Sequence, residues 1–472
     1  MQQTANDEQS RAIPGGTPGL LPFLLPPSGL LTDFYHVDSA YVSWRSGRNP
    51  VATFDLYTRS HPFGNGYLLV AGLALAVRLA TEFRYGDDDL AYLRTLRPYD
   101  DAFLDELRRL RFIGEVLAIP EGEIAFAHEP LLRITAPLRE ALVLESGLLH
   151  LVGVSTLIAT KAARTVQAAA GRPVAEFGYR RAQAPYLAAR SAYIGGCASS
   201  SFLAATHAFA IPTSGTIPHA LVEAFDSEEE AFRAVAETLD HYSLLLDTYD
   251  VRRAIHRAAA IARDVQTRLG HRLASVRLDS GDLLADSRYC RAVLDEAGLP
   301  DVHILASGDL DEYRIADLVA HDAPIGGFGV GTSLAVGAGS IPHGVEGGAL
   351  GAVYKLAWDD DETVPIKTAG EKSTWPGKKQ VVRIGSFAHD VIQFDDEPIP
   401  PNGRALLETV VRGGAIVPGT MPPIEEIRKR AIRTLATLPE RFRRLQDADS
   451  YPVSHSERLR HIRDAASVAR SL

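Results

Sequence analysis

Between Pro173 and Ser333 one pattern recurs, and it constrains the fold more than any other feature of the chain: a short apolar run ends in small, polar or acidic residues and is followed by an amphipathic stretch. The runs are Pro173 to Phe177 before Gly178, Ser243 to Leu246 before Asp247-Thr248-Tyr249, Ser275 to Leu278 before Asp279-Ser280-Gly281-Asp282, His303 to Leu305 before Ala306-Ser307-Gly308-Asp309, and Gly326 to Val330 before Gly331-Thr332-Ser333. Short runs alternating with helical stretches predict strand-helix-strand units and a parallel sheet. The later run ends recur every 20 to 35 residues or so, roughly the spacing of such units. A sheet of this kind closes into a barrel or stays open and doubly wound, and in both cases ligands gather at the carboxyl ends of the strands. The residues that end these runs are therefore the candidate site.

Around this repeat the pattern changes. Residues 18–31 are apolar but carry Pro18, Pro22, Pro26 and Pro27 without a basic start, so residues 1–27 read as an extended N-terminal arm and not as a signal peptide. Val51 to Tyr57 alternates like a strand, and Gly66 to Phe83 has helical periodicity. Asp87 to Leu110 is helical with a break at Pro98, and Val116 to Ala127 reads as a strand pair turning at Pro120-Glu121-Gly122. Together these predict a mixed α/β domain over residues 28–145. A long helical pattern from Leu138 to Ala170 stops at Gly171-Arg172-Pro173. Within it Leu148 to Ile158 is apolar but well short of the roughly 20 residues a membrane span needs, and reads as a buried helix. A barrel-like domain over 146–360 follows. Residues 361–472 add short strands and an arginine-studded helical tail, expected to pack with the N-terminal domain; its arginines read as a solvated face.

Composition narrows the function classes. Hydrophobic residues make up 46% and charged residues 23%, ordinary globular usage that argues against wholesale disorder. The formal charge is -10 with both signs scattered, so no basic stripe marks a nucleic-acid binder, and no segment marks a membrane protein. Cys197 and Cys290 lie in no metal-ligand spacing, which suits a reducing cytoplasm.

Four constellations carry chemistry. In Thr213-Ser214-Gly215-Thr216-Ile217-Pro218-His219, Pro218 suits the first turn of a helix continuing over Ala220 to Phe225. His219 is then at a helix start whose partial positive charge favours neutral imidazole, a nucleophile or base; the alternative is a structural histidine in a turn. In Arg277-Leu278-Asp279-Ser280-Gly281-Asp282, strand alternation puts Arg277 and Asp279 on one face. There a guanidinium clamps a carboxylate while the acid binds hydroxyls or a divalent ion, or else the two form an internal ion pair with Asp282 as a helix cap. The loops Ser307-Gly308-Asp309 and Gly329-Val330-Gly331-Thr332 have the glycines and hydroxyls of phosphate cradles, the alternative being tight turns. Arg180 and Arg181 after Gly178 suit a diphosphate or a surface ion pair.

Taken in order, these segments resemble the nicotinate phosphoribosyltransferases. The resemblance is carried by Leu31-Thr32-Asp33-Phe34-Tyr35, Pro62-Phe63-Gly64, Pro120-Glu121-Gly122-Glu123, Ala159-Thr160-Lys161-Ala162-Ala163-Arg164 and Phe177-Gly178-Tyr179-Arg180-Arg181-Ala182-Gln183. It continues through Ser214-Gly215-Thr216 with His219, Asp247-Thr248-Tyr249, Arg277 to Asp282, Gly329 to Thr332 and Val353-Tyr354-Lys355-Leu356, from about Gly29 to Tyr451. It implies an α/β fold of the type II phosphoribosyltransferases: an irregular α/β barrel plus a mixed α/β domain, working as a homodimer. It implies transfer of the phosphoribosyl group of 5-phosphoribosyl 1-diphosphate to nicotinate in NAD salvage, with magnesium as cofactor and ATP as co-substrate. By position His219 resembles the family's transiently phosphorylated histidine, Tyr35, Thr216 and Arg277 its nicotinate contacts, and Thr332 a phosphoribosyl contact. Arg181, Asp279, Ser307, Gly308 and Gly331 complete the expected substrate site; the magnesium ligands are left unassigned. The other readings are a nicotinamide or quinolinate phosphoribosyltransferase, in which Arg277 has less or different charge to meet, and a non-catalytic nucleotide sensor on the same fold.

Overall fold

The computed structural model describes residues 28–340, 343–361, 364–367 and 374–469; the N-terminal arm lies outside them. It divides into two units. The first comprises the described residues of 1–160, 207–210 and 341–472, and the second comprises Lys161–Thr206 and Ile211–Ser340.

The second unit holds the repeated pattern. Its strands are β1 (Val174–Glu176), β2 (Ser199–Ser200), β3 (His241–Leu245), β4 (Arg272–Leu278), β5 (His303–Ala306) and β6 (Gly327–Val330). They form one sheet in the order β2-β1-β6-β5-β4-β3 with every pair parallel. Among the described strands β2 and β3 are the outermost, and Thr213 makes an isolated parallel bridge to Ser200 of β2, so the sheet is an incomplete, irregular barrel. The tips of β3, β4 and β5 pass into aspartate-capped helices. Asp250 caps Val251–Leu269 by accepting from Arg253 N–H at 2.9 Å, and Asp282 caps Leu283–Glu296 by accepting from Ala285 N–H at 3.1 Å. Asp311 caps Glu312–Ala320 through the N–H groups of Tyr313 and Arg314. Each cap satisfies donors that a helix start leaves unpaired, and so fixes where the strand stops and the turn begins. Val251–Leu269 buries Ala254, Ile255, Ala258, Ile261, Ala262 and Val265, the stripe that covers the sheet.

The first unit is mixed α/β. A six-stranded sheet runs in the order Ala352–Asp359, Val51–Thr58, Leu132–Pro137, Glu115–Ala118, Glu408–Arg412 and Ala415–Ile416. A four-stranded sheet joins Gly403–Ala405, Lys379–Ile384, His389–Phe394 and Val453–His455. The helix Leu138–Ala168 is long and apolar enough by length and composition to cross a membrane, but most of its apolar stretch is buried inside the fold, as the sequence predicts.

Two local expectations fail in this unit. The helix expected over Gly66 to Phe83 spans only Leu73–Glu82, because Leu68–Leu69 pairs as a strand with Ile124–Ala125. Gly72 makes the change of direction at φ 95°, where a Cβ would meet the Leu151 carbonyl oxygen at 2.5 Å. The strand pair expected over Val116 to Ala127 is not a hairpin. Glu115–Ala118 pairs with Leu132–Pro137 and Glu408–Arg412 instead, leaving Ile124–Ala125 to Leu68–Leu69. Alternation predicts a strand but not its partner.

Candidate active site

The tips of β1, β4, β5 and β6 open onto one cleft of about 670 Å³ that lies wholly within the second unit. At the tip of β4, Arg277 and Asp279 share a face as expected, with Nη1 3.8 Å from Asp279 Oδ1. Arg277 donates from Nη2 to the Ile217 carbonyl oxygen at 3.2 Å, and its buried Nε has no hydrogen-bond partner among the described residues. Burial pushes its pKa down, opposed by Asp279 and Asp247 and assisted by Arg180. A guanidinium still keeps its charge in a protein, so the site presents a cation with unused donors.

Asp279 is held on several sides. Its Oδ1 accepts from the Ser307 hydroxyl at 2.5 Å, and its N–H donates to Asp247 Oδ2 at 3.1 Å. Asp247 Oδ2 also takes the Ser280 hydroxyl at 2.5 Å. The Ser307 turn comes this close because Gly308 adopts φ 84°; a Cβ there would lie 1.7 Å from the Asp279 carbonyl oxygen. Opposite, Gly329 lies under the Phe177 ring, 2.5 Å from where its Cβ would stand.

His219 begins a helix of five residues, His219–Glu223, with Pro218 as its cap residue. The helix expected to reach Phe225 stops short, and so brief a dipole has little influence. Side chains place the ring instead: Nδ1 lies 3.1 Å from the Thr248 hydroxyl and Nε2 3.7 Å from Asp279 Oδ2.

Of the residues singled out from the sequence, Arg181, Thr216, His219, Arg277 and Asp279 line this cleft together with Ser307, Gly308, Gly331 and Thr332. Tyr35 is in the first unit, more than half exposed on the helix Phe34–Arg45, and is not among the lining residues. A second cavity of about 170 Å³ has mostly apolar walls, and Phe177, Thr216 and Arg277 line both spaces. Sequence reasoning gave Phe177 and Thr248 no role. Both lay inside stretches already singled out, but nothing local says that a residue one step before Gly178 forms a cavity wall, or that Thr248 meets a side chain 29 positions away.

The chain resembles known proteins over most of its length. The model of the nicotinate phosphoribosyltransferase N-terminal domain matches residues 30–153, and that of the C-terminal domain matches residues 400–463. A nicotinate phosphoribosyltransferase of Mycobacterium tuberculosis is 41% identical over 440 residues, covering 91% of this chain and 92% of the relative. That of Bacillus subtilis is 38% identical, covering 91% and 93%. The crystal structure of human nicotinic acid phosphoribosyltransferase superposes with a TM-score of 0.81 at 29% identity, over 92% of this chain and 99% of that one. A nicotinate-nucleotide pyrophosphorylase from Pyrococcus furiosus, at 24% identity and a TM-score of 0.69, shares the fold. With both domain models, near full-length relatives and an incomplete barrel whose strand tips build one cleft, the chain belongs to the nicotinate phosphoribosyltransferase family.

Proposed function

We propose that the chain transfers the phosphoribosyl group from 5-phosphoribosyl 1-diphosphate to nicotinate, giving nicotinate mononucleotide and diphosphate in NAD salvage. The observation that carries the reading is that Arg277, His219 and both glycine loops line a single cleft. The apolar cavity walled by Phe177 suits a flat pyridine ring. Arg277 at its junction with the cleft supplies two parallel N–H donors to the ring carboxylate, a geometry that favours nicotinate over an amide. The ring nitrogen then faces the ribose. The Ser307–Asp309 and Gly329–Thr332 turns offer backbone N–H groups, and Thr332 its hydroxyl, to phosphate oxygens, while Arg180 and Arg181 take the departing diphosphate.

Displacement at the anomeric carbon builds positive charge on the ribose as the diphosphate leaves. Asp279, kept ready by Ser307, lies in the same cleft to face it. For magnesium, no three His, Cys, Asp or Glu side chains gather as a ligand set among the described residues, whereas Asp279 and Asp309 both line the cleft. This fits an ion held by one or two carboxylates plus substrate phosphates. Once bound it would neutralise charge on the leaving diphosphate. The homodimer and the stacking of Tyr35 on the ring rest on the family resemblance, and the cytoplasmic location rests on the cysteine usage.

The test is product analysis with nicotinate, nicotinamide and quinolinate in turn, each with the donor, magnesium and ATP or no ATP. Nicotinate mononucleotide forming from nicotinate supports the reading. Consumption of nicotinamide or quinolinate with nicotinate left intact overturns it, and donor binding without any product favours the sensor.

ATP coupling through a ring nitrogen of His219 is the finer part of the proposal. A phosphoryl group there would add negative charge beside Asp279 and bias the surrounding loops. With labelled ATP the wild type is expected to carry acid-labile phosphate, and His219→Ala none. The variant should also lose the ATP stimulation of turnover, on the order of tenfold for an ordinary coupling free energy. Label persisting in His219→Ala would contradict the assignment.

A further inference from the structure

Glu176 ends β1, is almost completely buried, and has no part in the chemistry proposed above. Its two carboxylate oxygens take different segments: Oε1 accepts from the Gly178 N–H, and Oε2 accepts from the Ser200 hydroxyl at 2.6 Å. Both partners are neutral donors, and burial pushes the carboxyl above its usual range. A carboxylate is a costly group to bury for packing alone.

What hangs from this clamp is the arginine turn. The Gly178 carbonyl, whose peptide unit adjoins the clamped N–H, accepts from the N–H groups of Arg181 at 2.8 Å and Ala182 at 3.0 Å. Gly178 also packs so closely on the short helix that begins at Thr332 that a Cβ would stand 2.1 Å from Ala335 Cβ. On the other side Ser200 Oγ accepts from Phe202 N–H at 3.1 Å, and the Phe202 ring stacks on Tyr179 of the arginine turn with centroids 4.0 Å apart. Phe177 has an anchor of its own besides the clamp, because its N–H donates to the Val330 carbonyl oxygen at 2.9 Å. The wall of the apolar cavity thus keeps its bond to β6 when the clamp is cut, whereas the arginine turn depends on Glu176.

We infer that Glu176 is a positioning residue for the phosphoribosyl donor: its carboxylate ties the Gly178–Ala182 turn to β2, and so holds Arg180 and Arg181 at the cleft against the segment that carries Thr332. This rests on the donor site proposed above, and the test separates the two.

The donor's dissociation constant is read by titration calorimetry, which needs no turnover, and the KM for nicotinate is read by steady-state assay. Glu176→Ala is expected to weaken donor binding about tenfold or more, the usual size for losing hydrogen bonds to a buried carboxylate, with the nicotinate KM within about threefold of wild type. Glu176→Gln is expected to restore the donor constant to within about threefold, since its amide oxygen accepts from Gly178 and its NH₂ donates to Ser200, the pattern of neutral-for-charged replacement with bonds kept. Ser200→Ala, which keeps the carboxylate and cuts only one side of the clamp, should shift the donor constant the same way by less. Unchanged donor binding in Glu176→Ala overturns the inference, as does an equal loss for both substrates, or a folded glutamine variant no better than alanine. Should Glu176→Ala fail to fold, unchanged donor binding in Ser200→Ala overturns it equally. A wild type that binds the donor but makes no nicotinate mononucleotide would sink the functional reading and leave the donor constants to decide this one.

Discussion

Arg277→Ala is expected to raise the KM for nicotinate by about 10² to 10³-fold, the loss of two charge-assisted hydrogen bonds at about 1.5–3 kcal/mol each less what water recovers. The donor KM should move less, because apart from Asp279 the groups assigned to the donor sit on other strand tips. The expectation follows from Arg277's unfinished bonding: among the described residues only Nη2 has a hydrogen-bond partner, and Asp279 at 3.8 Å is too far for one. Arg277→Lys keeps the charge but not the planar fork and should recover only part of the affinity. Since the truncation removes the donor to the Ile217 carbonyl and the cation beside Asp279, urea midpoints of the variants are measured alongside. Equal increases in both KM values, with unchanged stability, would remove Arg277 from the nicotinate site.

The second large effect is on stability. Glu312, the first residue of the helix after the Ser307–Asp309 turn, is fully buried between Lys161 Nζ at 2.6 Å and Arg164 Nε at 3.0 Å. Two buried cations thus share one carboxylate. Glu312→Gln should cost about 3–5 kcal/mol, the usual penalty for stranding a buried charge. The sign of the pH dependence identifies the cause. Burial already lowers the Lys161 pKa and Glu312 opposes that, so removing Glu312 lowers it further. In the variant the unfolded chain then binds more protons than the folded one, and stability rises with pH from the depressed folded pKa up to the ordinary lysine value. Urea unfolding at neutral pH and near pH 9.5 checks this: the gap between wild type and variant should narrow at the higher pH. A gap that stays constant would mean that packing, not stranded charge, is what the glutamate provides.

The parts of the site that the sequence makes legible are local. A run such as Ser275 to Leu278 followed by Asp279-Ser280-Gly281-Asp282 carries its own stop signal, and the cap made by Asp282 is the one its position predicts. Alternation over three residues suffices to place Arg277 and Asp279 on one face. What stays hidden depends on distant partners. β2 is two serines long and has no apolar run to announce it, yet it supplies the hydroxyl that Glu176 needs. Leu68–Leu69 looks helical beside Leu73–Glu82 until Ile124–Ala125 is known to lie against it. The same holds for His219: its helix is too short for the dipole that the sequence suggests, and Thr248, 29 residues on, orients the ring.

The central claim is that one cleft holds the pyridine and the sugar phosphate together, and a crystal structure with nicotinate mononucleotide bound tests it most directly. The expected result is a pyridine carboxylate against the Arg277 guanidinium with the 5′-phosphate at the Ser307–Asp309 or Gly329–Thr332 turn. Density for the nucleotide elsewhere on the protein, with Arg277 untouched, would contradict it.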